Sequence, residues 1–268
     1  MNLLNPPRLD KAAVKKSFNR CAGQYDQSAI LQEEVLSRLL GRLDYIKLNP
    51  ALILDLGCGT GSAVKPLHKR YKKSTVLALD MADEMLALTR KKYGMFQRKW
   101  LLNADMERLP LKDGCVDLVF SSLALQWSND LAHSLKEFRR VGRQGGLLMF
   151  TTFGSNTLKE LRESWMQVDA SPRVHRFMDM HDVGDLMLSA GLSQPVMDME
   201  EIRMEYSTFN ALLSDLKSIG ATNAEKNRQR GLLTARKLNR LREAYEAIAY
   251  KNQRYSATYE IVYGHAWF

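Results

Sequence analysis

Leu52-Ile53-Leu54-Asp55-Leu56-Gly57-Cys58-Gly59-Thr60-Gly61 is an apolar run broken by one acid and closed by three glycines at alternate positions. Four to eight apolar residues bounded by turn residues suit a strand buried in the middle of a parallel sheet. The glycines permit a sharp turn, and they let a ligand approach main-chain N–H groups with no Cβ in the way. A helical pattern begins near Ser62, so the turn sits at a helix N-terminus, where unpaired N–H donors point outward. This is the setting of a nucleotide-type binding loop.

The spacing discriminates among nucleotides. A dinucleotide fold favours G-x-G-x-x-G, with the pyrophosphate on the helix end. Here the pattern is G-x-G-x-G, and Asp55 stands two residues ahead of the first glycine. A carboxylate there repels a pyrophosphate and attracts an ammonium group. S-adenosyl-L-methionine (SAM) carries such an ammonium and no phosphate. The next apolar run, Thr75 to Leu79, closes on Asp80, nineteen residues after Gly61. At the tip of a second strand that acid can accept hydrogen bonds from both ribose hydroxyls.

On these residues the chain resembles the class I SAM-dependent methyltransferases. Leu54 to Gly61 matches their first motif, Asp80 their second and Asn103-Ala104-Asp105-Met106 their third, and the likeness spans residues 12–155. It implies a Rossmann-like α/β sheet of five parallel strands plus an antiparallel edge pair. It implies SAM as cofactor and S-adenosyl-L-homocysteine as its product. The cofactor would be held by Tyr25, Asp55, Gly57, Cys58, Gly59, Gly61, Asp80, Met81, Asp105, Met106 and Ser121, with Asp105 at the adenine amino group. Met81 and Met106 offer the polarizable apolar contacts that an adenine sandwiched between them prefers.

The 268 residues suffice for one large domain with an added lobe. A net charge of +9 points to an acidic partner, nucleic acid or protein, or to a merely solvated basic surface. Cys21, Cys58 and Cys115 lack C-x-x-C spacing, so neither a zinc site nor a disulfide framework is indicated. No signal peptide or membrane-length apolar run is seen. A cytoplasmic monomer without a metal, a membrane or a nucleic-acid partner is expected.

Along the chain, residues 1–11 read as a loose lead-in. Phe18, Ala22 and Tyr25 share a helix face over residues 11–25, and Tyr25 is expected to close over the cofactor as a lid. A second helix covers 30–45, so residues 1–46 form an N-terminal helical lid. The core, residues 47–154, alternates strands at 52–56, 75–80, 99–103, 116–121 and 146–152 with helices at 62–71, 83–92 and 131–141. Gly142 and Gly145-Gly146 are expected to break the last of these helices. Asp117 and Asp130 read as turn or surface residues. Residues 155–268 form a substrate region: helices at 158–168, 181–190, 208–219 and 234–250, strands at 196–206 and 255–267, and a polar basic loop at 221–231. The helical cap is placed at about 207–252, inserted between the last two strands.

Ligands in open α/β sheets bind beyond the carboxyl ends of the strands. The stretch after Ser121, Leu123-Ala124-Leu125-Gln126-Trp127, is expected beneath the reactive methyl. His68, His133, His175, His181 and His265 lie away from those strand ends, which suits an acceptor that is already ionised, such as a carboxylate. His175-Arg176-Phe177, Leu216 to Asn223, Tyr255 to Glu260, Leu125-Gln126-Trp127 and Tyr25 together resemble the malonyl-acyl-carrier-protein O-methyltransferases of biotin synthesis. That likeness runs nearly end to end. It implies methylation of the free carboxylate of malonyl-acyl carrier protein or malonyl-CoA, giving the methyl ester that primes pimeloyl and biotin synthesis. It also gives a catalytic set of Tyr25, Gln126, Arg176 and Lys217. A planar guanidinium suits a carboxylate, so Arg176 is the first choice of clamp and Lys217 the second. Carrier contacts are expected at Lys226, Arg228, Arg230, Arg236, Lys237 and Arg240, with Arg139, Arg140 and Arg143 near the sheet. The alternatives are a methyltransferase of a small quinone-type precursor, an RNA methyltransferase, and a non-catalytic SAM-fold binding protein.

Overall fold

The computed structural model describes residues 8–93, 100–169, 173–219, 224–226 and 234–268. At its centre β1 (Leu52–Leu56) lies parallel to β2 (Thr75–Asp80) on one side and to β4 (Val116–Ser121) on the other. β3 (Trp100–Asn103) extends the sheet beyond β2, and β5 (Gly142–Phe153) extends it beyond β4, both parallel. β8 (Arg254–Trp267) pairs antiparallel with β5 and, on its other edge, with β6 (Ser193–Tyr206). The order is β3-β2-β1-β4-β5-β8-β6, the five parallel strands and antiparallel pair anticipated. One strand was not anticipated: β7 (Tyr250–Lys251), a two-residue hairpin partner of β8 where a helix end was expected.

Nine helices are formed by the described residues: α1 (Lys11–Ser28), α2 (Ile30–Arg42), α3 (Val64–Arg70), α4 (Asp83–Lys92), α5 (Leu131–Val141), α6 (Lys159–Val168), α7 (Met180–Ser189), α8 (Phe209–Ser218) and α9 (Ala235–Ala249). Asp10, Asp130, Asp179, Thr208 and Thr234 each cap a helix by accepting a hydrogen bond from an N–H of its first turn. Ile53, Leu118, Phe120 and the β8 tyrosines Tyr255, Tyr259 and Tyr263 point into a core shared with α2, α6, α8 and α9. Leu54, Leu56, Val119 and Leu148 point the other way, into a core closed by α5 and α7. That two-sided burial explains the near-continuous apolar strands. No helix among the described residues is long and apolar enough to cross a membrane.

Three expectations need correcting. Asp117 is no surface residue: it is buried in β4, its carboxylate accepts from the N–H groups of Ala51 and Leu52, both at 2.8 Å, and it meets Arg143 at 2.6 Å. It thereby locks the entry of β1 to β4. The glycines after α5 do end that helix, but the chain passes straight into β5 at Gly142, and the ladder with β4 resumes at Leu118–Leu147 after an irregularity that absorbs the turn. The lead-in is tied down from Arg8 onward. Leu9 bridges Glu225, Asp10 N–H donates to Ala224 and Lys226 N–H to Arg8, while Asn129 takes the Leu9 N–H at 2.5 Å. Most of the basic loop expected at 221–231, including Arg228 and Arg230, lies outside the described residues.

Candidate active site

The carboxyl ends of β1, β2 and β4 open into the larger of two adjoining cavities. One half of it is walled by Tyr25, Gly57, Gly59, Asp80, Met81, Ala104, Asp105, Met106 and Ser122. Because β1 ends at Leu56, the glycine turn falls directly over the sheet edge, and Gly57 N–H and Cys58 N–H are both spent on the Leu79 carbonyl of β2. Two of the glycines differ in purpose. Gly59 has φ +53°, and a Cβ there would meet nothing within 4 Å, so its open side is the cavity itself. Gly61 has φ +80°, and a Cβ would strike Thr89 at 2.6 Å, so it serves the packing of the loop on α4.

Asp80 closes β2 and accepts from Gly59 N–H at 2.9 Å and Ala82 N–H at 2.8 Å, which fixes its carboxylate at the cavity wall. Burial raises its affinity for a proton, and these N–H groups oppose that. Asp55 is 2% exposed. Burial, and then the neighbouring Asp80, push it up to about 7. Its Oδ2 has no hydrogen-bond partner among the described residues. A buried acid in that condition is expensive unless a cation joins it, which fits an ammonium-bearing ligand. Asp105 accepts from Lys11 Nζ at 3.0 Å, so the first residue of α1 reaches the third motif. The donors and acceptors present therefore fit SAM.

Not every residue expected here faces the cavity. The Ser121 hydroxyl is wholly buried and donates to the Leu56 carbonyl at 2.9 Å, and Ser122 takes the wall position. The Cys58 thiol is turned to Thr89 at 3.7 Å, and burial pushes its pKa well up. Tyr25 is on the wall. It belongs to an apolar cluster with Phe18, Cys21, Ala22, Ala82 and Met85 that seats α1 on α4. Burial raises its phenol far above the usual value. The neighbouring Asp26 accepts from the Thr60 hydroxyl at 2.5 Å and pairs with Lys92 at 2.9 Å. Burial alone would raise the Asp26 pKa, but Lys92 and Thr60 outweigh it and hold it low. Thus α1 is fastened to the glycine loop one residue away from Tyr25.

The other half of the cavity is apolar: Phe153, Leu158, Leu161, Val174, Phe177, Leu216, Ile219 and Tyr259. Gln126 lines this cavity and the smaller one beside it, its amide NH2 donating to the Leu123 carbonyl at 2.7 Å and its Oε1 accepting from the Thr152 hydroxyl at 3.3 Å. Leu123 and Leu158 both adopt left-handed backbone, φ 50° and 56°, a costly state for leucine, held here by hydrogen bonds from their N–H groups to Thr151 and Thr258. His175 stacks on Trp127, with centroids 6.4 Å apart, and its Nδ1 lies 3.6 Å from Glu225. The wall's cation in this half is Arg173, not Arg176. Arg173 lies over the Trp165 ring at 4.6 Å and pairs with Asp169 at 3.2 Å, which Lys237 also engages. Arg176 is exposed and lines the smaller cavity, and Lys217 is exposed and lines neither. Sequence reading also passed over Gln32 of α2. It lines the larger cavity, and its buried Oε1 has no partner among the described residues.

Residues 54–150 match the model of a family described as a methyltransferase domain. Malonyl-[acyl-carrier protein] O-methyltransferases are similar over nearly the whole chain. The one from Halorhodospira halophila is 45% identical over all of this chain and 91% of its own length. That from Laribacter hongkongensis is 46% identical over 96% of this chain and 89% of its own. Among solved structures, a putative methyltransferase of Bacillus halodurans superposes with a TM-score of 0.61 at 19% identity, covering 87% of this chain and 97% of that one. A phosphoethanolamine N-methyltransferase of Haemonchus contortus in complex with S-adenosyl-L-methionine gives 0.52 at 16% identity, over 86% of this chain and 52% of that one.

Proposed function

The chain belongs to the malonyl-[acyl-carrier protein] O-methyltransferases, and on that premise we propose that it moves a methyl group from SAM to the free carboxylate of a malonyl thioester. The thioester is borne by acyl carrier protein or coenzyme A, and the methyl ester feeds pimeloyl and biotin synthesis. The observation that carries this reading is an apolar chamber with a guanidinium on its wall, opening onto the half that fits SAM.

When bound, SAM supplies an electrophilic methyl on a positively charged sulfur. The chain's own residues supply placement. Gly59 and Asp80 hold the nucleoside end. Gln32 Oε1 on the cavity wall and Asp55 Oδ2, buried and not itself on that wall, both lack a partner among the described residues and suit the ammonium of the amino-acid end. The malonyl carboxylate is ionised near neutral pH, so no general base is required of the wall. Burial keeps the Tyr25 phenol protonated, so it acts as a hydrogen-bond donor and a cover rather than as a base. Gln126, pinned by Leu123 and Thr152, presents a fixed amide on the cavity wall. We assign the carboxylate to Arg173, whose planar group can take two oxygens at once and is steadied by Trp165 and Asp169. Alignment of the carboxylate in a water-poor chamber accounts for the rate. Esterification removes the charge that Arg173 grips, so product leaves more readily than substrate.

The test is incubation with methyl-labelled SAM and a panel of malonyl-carrier protein, malonyl-CoA, free malonate and RNA. Label is expected in a base-labile ester of a malonyl thioester. Label in RNA, or none in either thioester, would overturn the reading.

A further inference from the structure

The smaller cavity has no part in the scheme above. It shares Gln126, Phe153, His175 and Phe177 with the larger one, so one layer of side chains separates the two. Beyond that layer its wall is mainly apolar, with Leu125, Met178, Val183 and Leu186, and its roof is Leu9. The roof is fixed, since Asn129 accepts from the Leu9 N–H and donates to the Leu9 carbonyl. Two exposed residues mark the outer end, Asp130 and Arg176. The Asp130 carboxylate is occupied in capping α5, accepting from His133 N–H at 2.9 Å. Arg176 is the cation at that rim, with the Asp130 carboxylate beside it. Arg162 stands close enough to feel it: burial, and then the Arg176 charge, lower the Arg162 pKa. Arg162 donates to the carbonyls of Ser155 at 2.7 Å and Thr157 at 3.4 Å. Arg162 also feels Glu160, Glu163 and Glu260, so the positive charge that the cavity offers an anion is that of the exposed Arg176 on its wall.

We propose that the smaller cavity is the passage for the pantetheine arm that tethers the malonyl group to its carrier, with Arg176 at its rim facing the arm's phosphate-bearing end. This rests on the reading that the acceptor is a carrier-bound malonyl thioester. A reacting group on a protein reaches a recessed chamber only if its tether has room to lie alongside. The passage suits the arm's chemistry: a slender chain, apolar with intermittent amides, ending in an anion. It adjoins the acceptor chamber across the Gln126 layer, where the thioester would lie.

The experiment compares malonyl-acyl carrier protein with the malonyl thioester of N-acetylcysteamine, which keeps the thioester and lacks most of the arm and its phosphate. Arg176→Glu reverses the rim charge, and Leu186→Trp narrows the passage from a residue that does not line the larger cavity. Each should raise the KM for the carrier substrate, so that the ratio of kcat/KM, carrier over short thioester, falls about tenfold. Adenosylhomocysteine affinity by calorimetry reports an intact fold, and if Leu186→Trp fails that check the exposed Arg176→Glu alone decides. Equal losses on both substrates would overturn the passage and return Arg176 to the carboxylate. No loss on either would overturn it as well. Failure of the unaltered enzyme to methylate any malonyl thioester would sink the functional reading itself, and the passage with it.

Discussion

The cofactor half of the cavity is made of strand ends and turns between Gly57 and Ala124, covered by Tyr25 of α1, whereas the acceptor half draws on side chains scattered from Phe153 to Tyr259. In the first, the sheet fixes position: once β1 and β2 pair, Gly59 N–H and the Asp80 carboxylate are set within 2.9 Å of each other. In the second, position depends on how α6, α8 and a segment without helix or strand, residues 173–179, settle against β8. Binding of the common cofactor is thus built into the frame, and choice of acceptor into replaceable packing. The two should be separable by mutation.

The largest effect is expected on the rigid half. Asp80→Ala removes the acceptor of two N–H groups and, on the proposed reading, of the ribose, and should weaken adenosylhomocysteine binding by about 100-fold, or ~3 kcal/mol, in calorimetry. Next, Arg173→Ala should cut kcat/KM for the malonyl thioester by about 30-fold while leaving adenosylhomocysteine affinity within about twofold, as loss of a charge-assisted clamp predicts. If both quantities fall together, the halves are not independent. Gln32→Ala should weaken adenosylhomocysteine by about fivefold yet leave the melting temperature of the ligand-free protein unchanged or higher, because a buried acceptor without a partner costs about 1 kcal/mol. A lower melting temperature would make Gln32 a packing residue.

Asp55 gives a pH test of the same half. Its pKa in the fold is raised to about 7 from 3.8. In the ligand-free protein its contribution to stability is therefore full below pH 3.8 and lost as pH rises through about 7. Binding an ammonium needs the carboxylate instead. Adenosylhomocysteine uptake at pH 6 should release a proton, and affinity should fall below pH 7 by up to about tenfold per pH unit. Calorimetry in buffers of different ionisation heat reads the proton directly, and a pH-independent affinity would remove Asp55 from the ammonium. The smallest effect concerns Arg236 and Arg240, exposed on α9. Reversing both should slow association with an acidic carrier by about threefold at low salt and hardly at all at high salt, as screening requires.

The same contrast explains what could be read from the chain. The sheet order, the glycine loop, Asp80 and the placing of α1 by Phe18, Ala22 and Tyr25 follow from local rules of period and turn chemistry, and those rules act on neighbours. Ser121 and Ser122 show the limit. Adjacent side chains at a strand end point to opposite sides, and which of them meets the cavity depends on where the strand stops. Arg173 and Arg176 show it more plainly, since in an irregular segment no period tells which of two arginines faces in. Charge alone points to Arg139, Arg140 and Arg143 as carrier contacts. Arg140 is in fact bound to Glu137, Asp113 and the Leu109 and Leu111 carbonyls, and Arg143 to Asp117. Such ties join residues distant in sequence and leave no trace in composition.

β8 lies between β5 and β6 although it follows both in chain order. As the polypeptide leaves the ribosome, β6 emerges ahead of its own partner, and β5 waits with one edge bare until β8 slots between them. Both edges then carry unmatched N–H and C=O groups, the condition that invites nascent chains to pair with one another. A chaperone that shields extended strands should therefore improve the yield of active enzyme most during synthesis, and far less once β8 is in place.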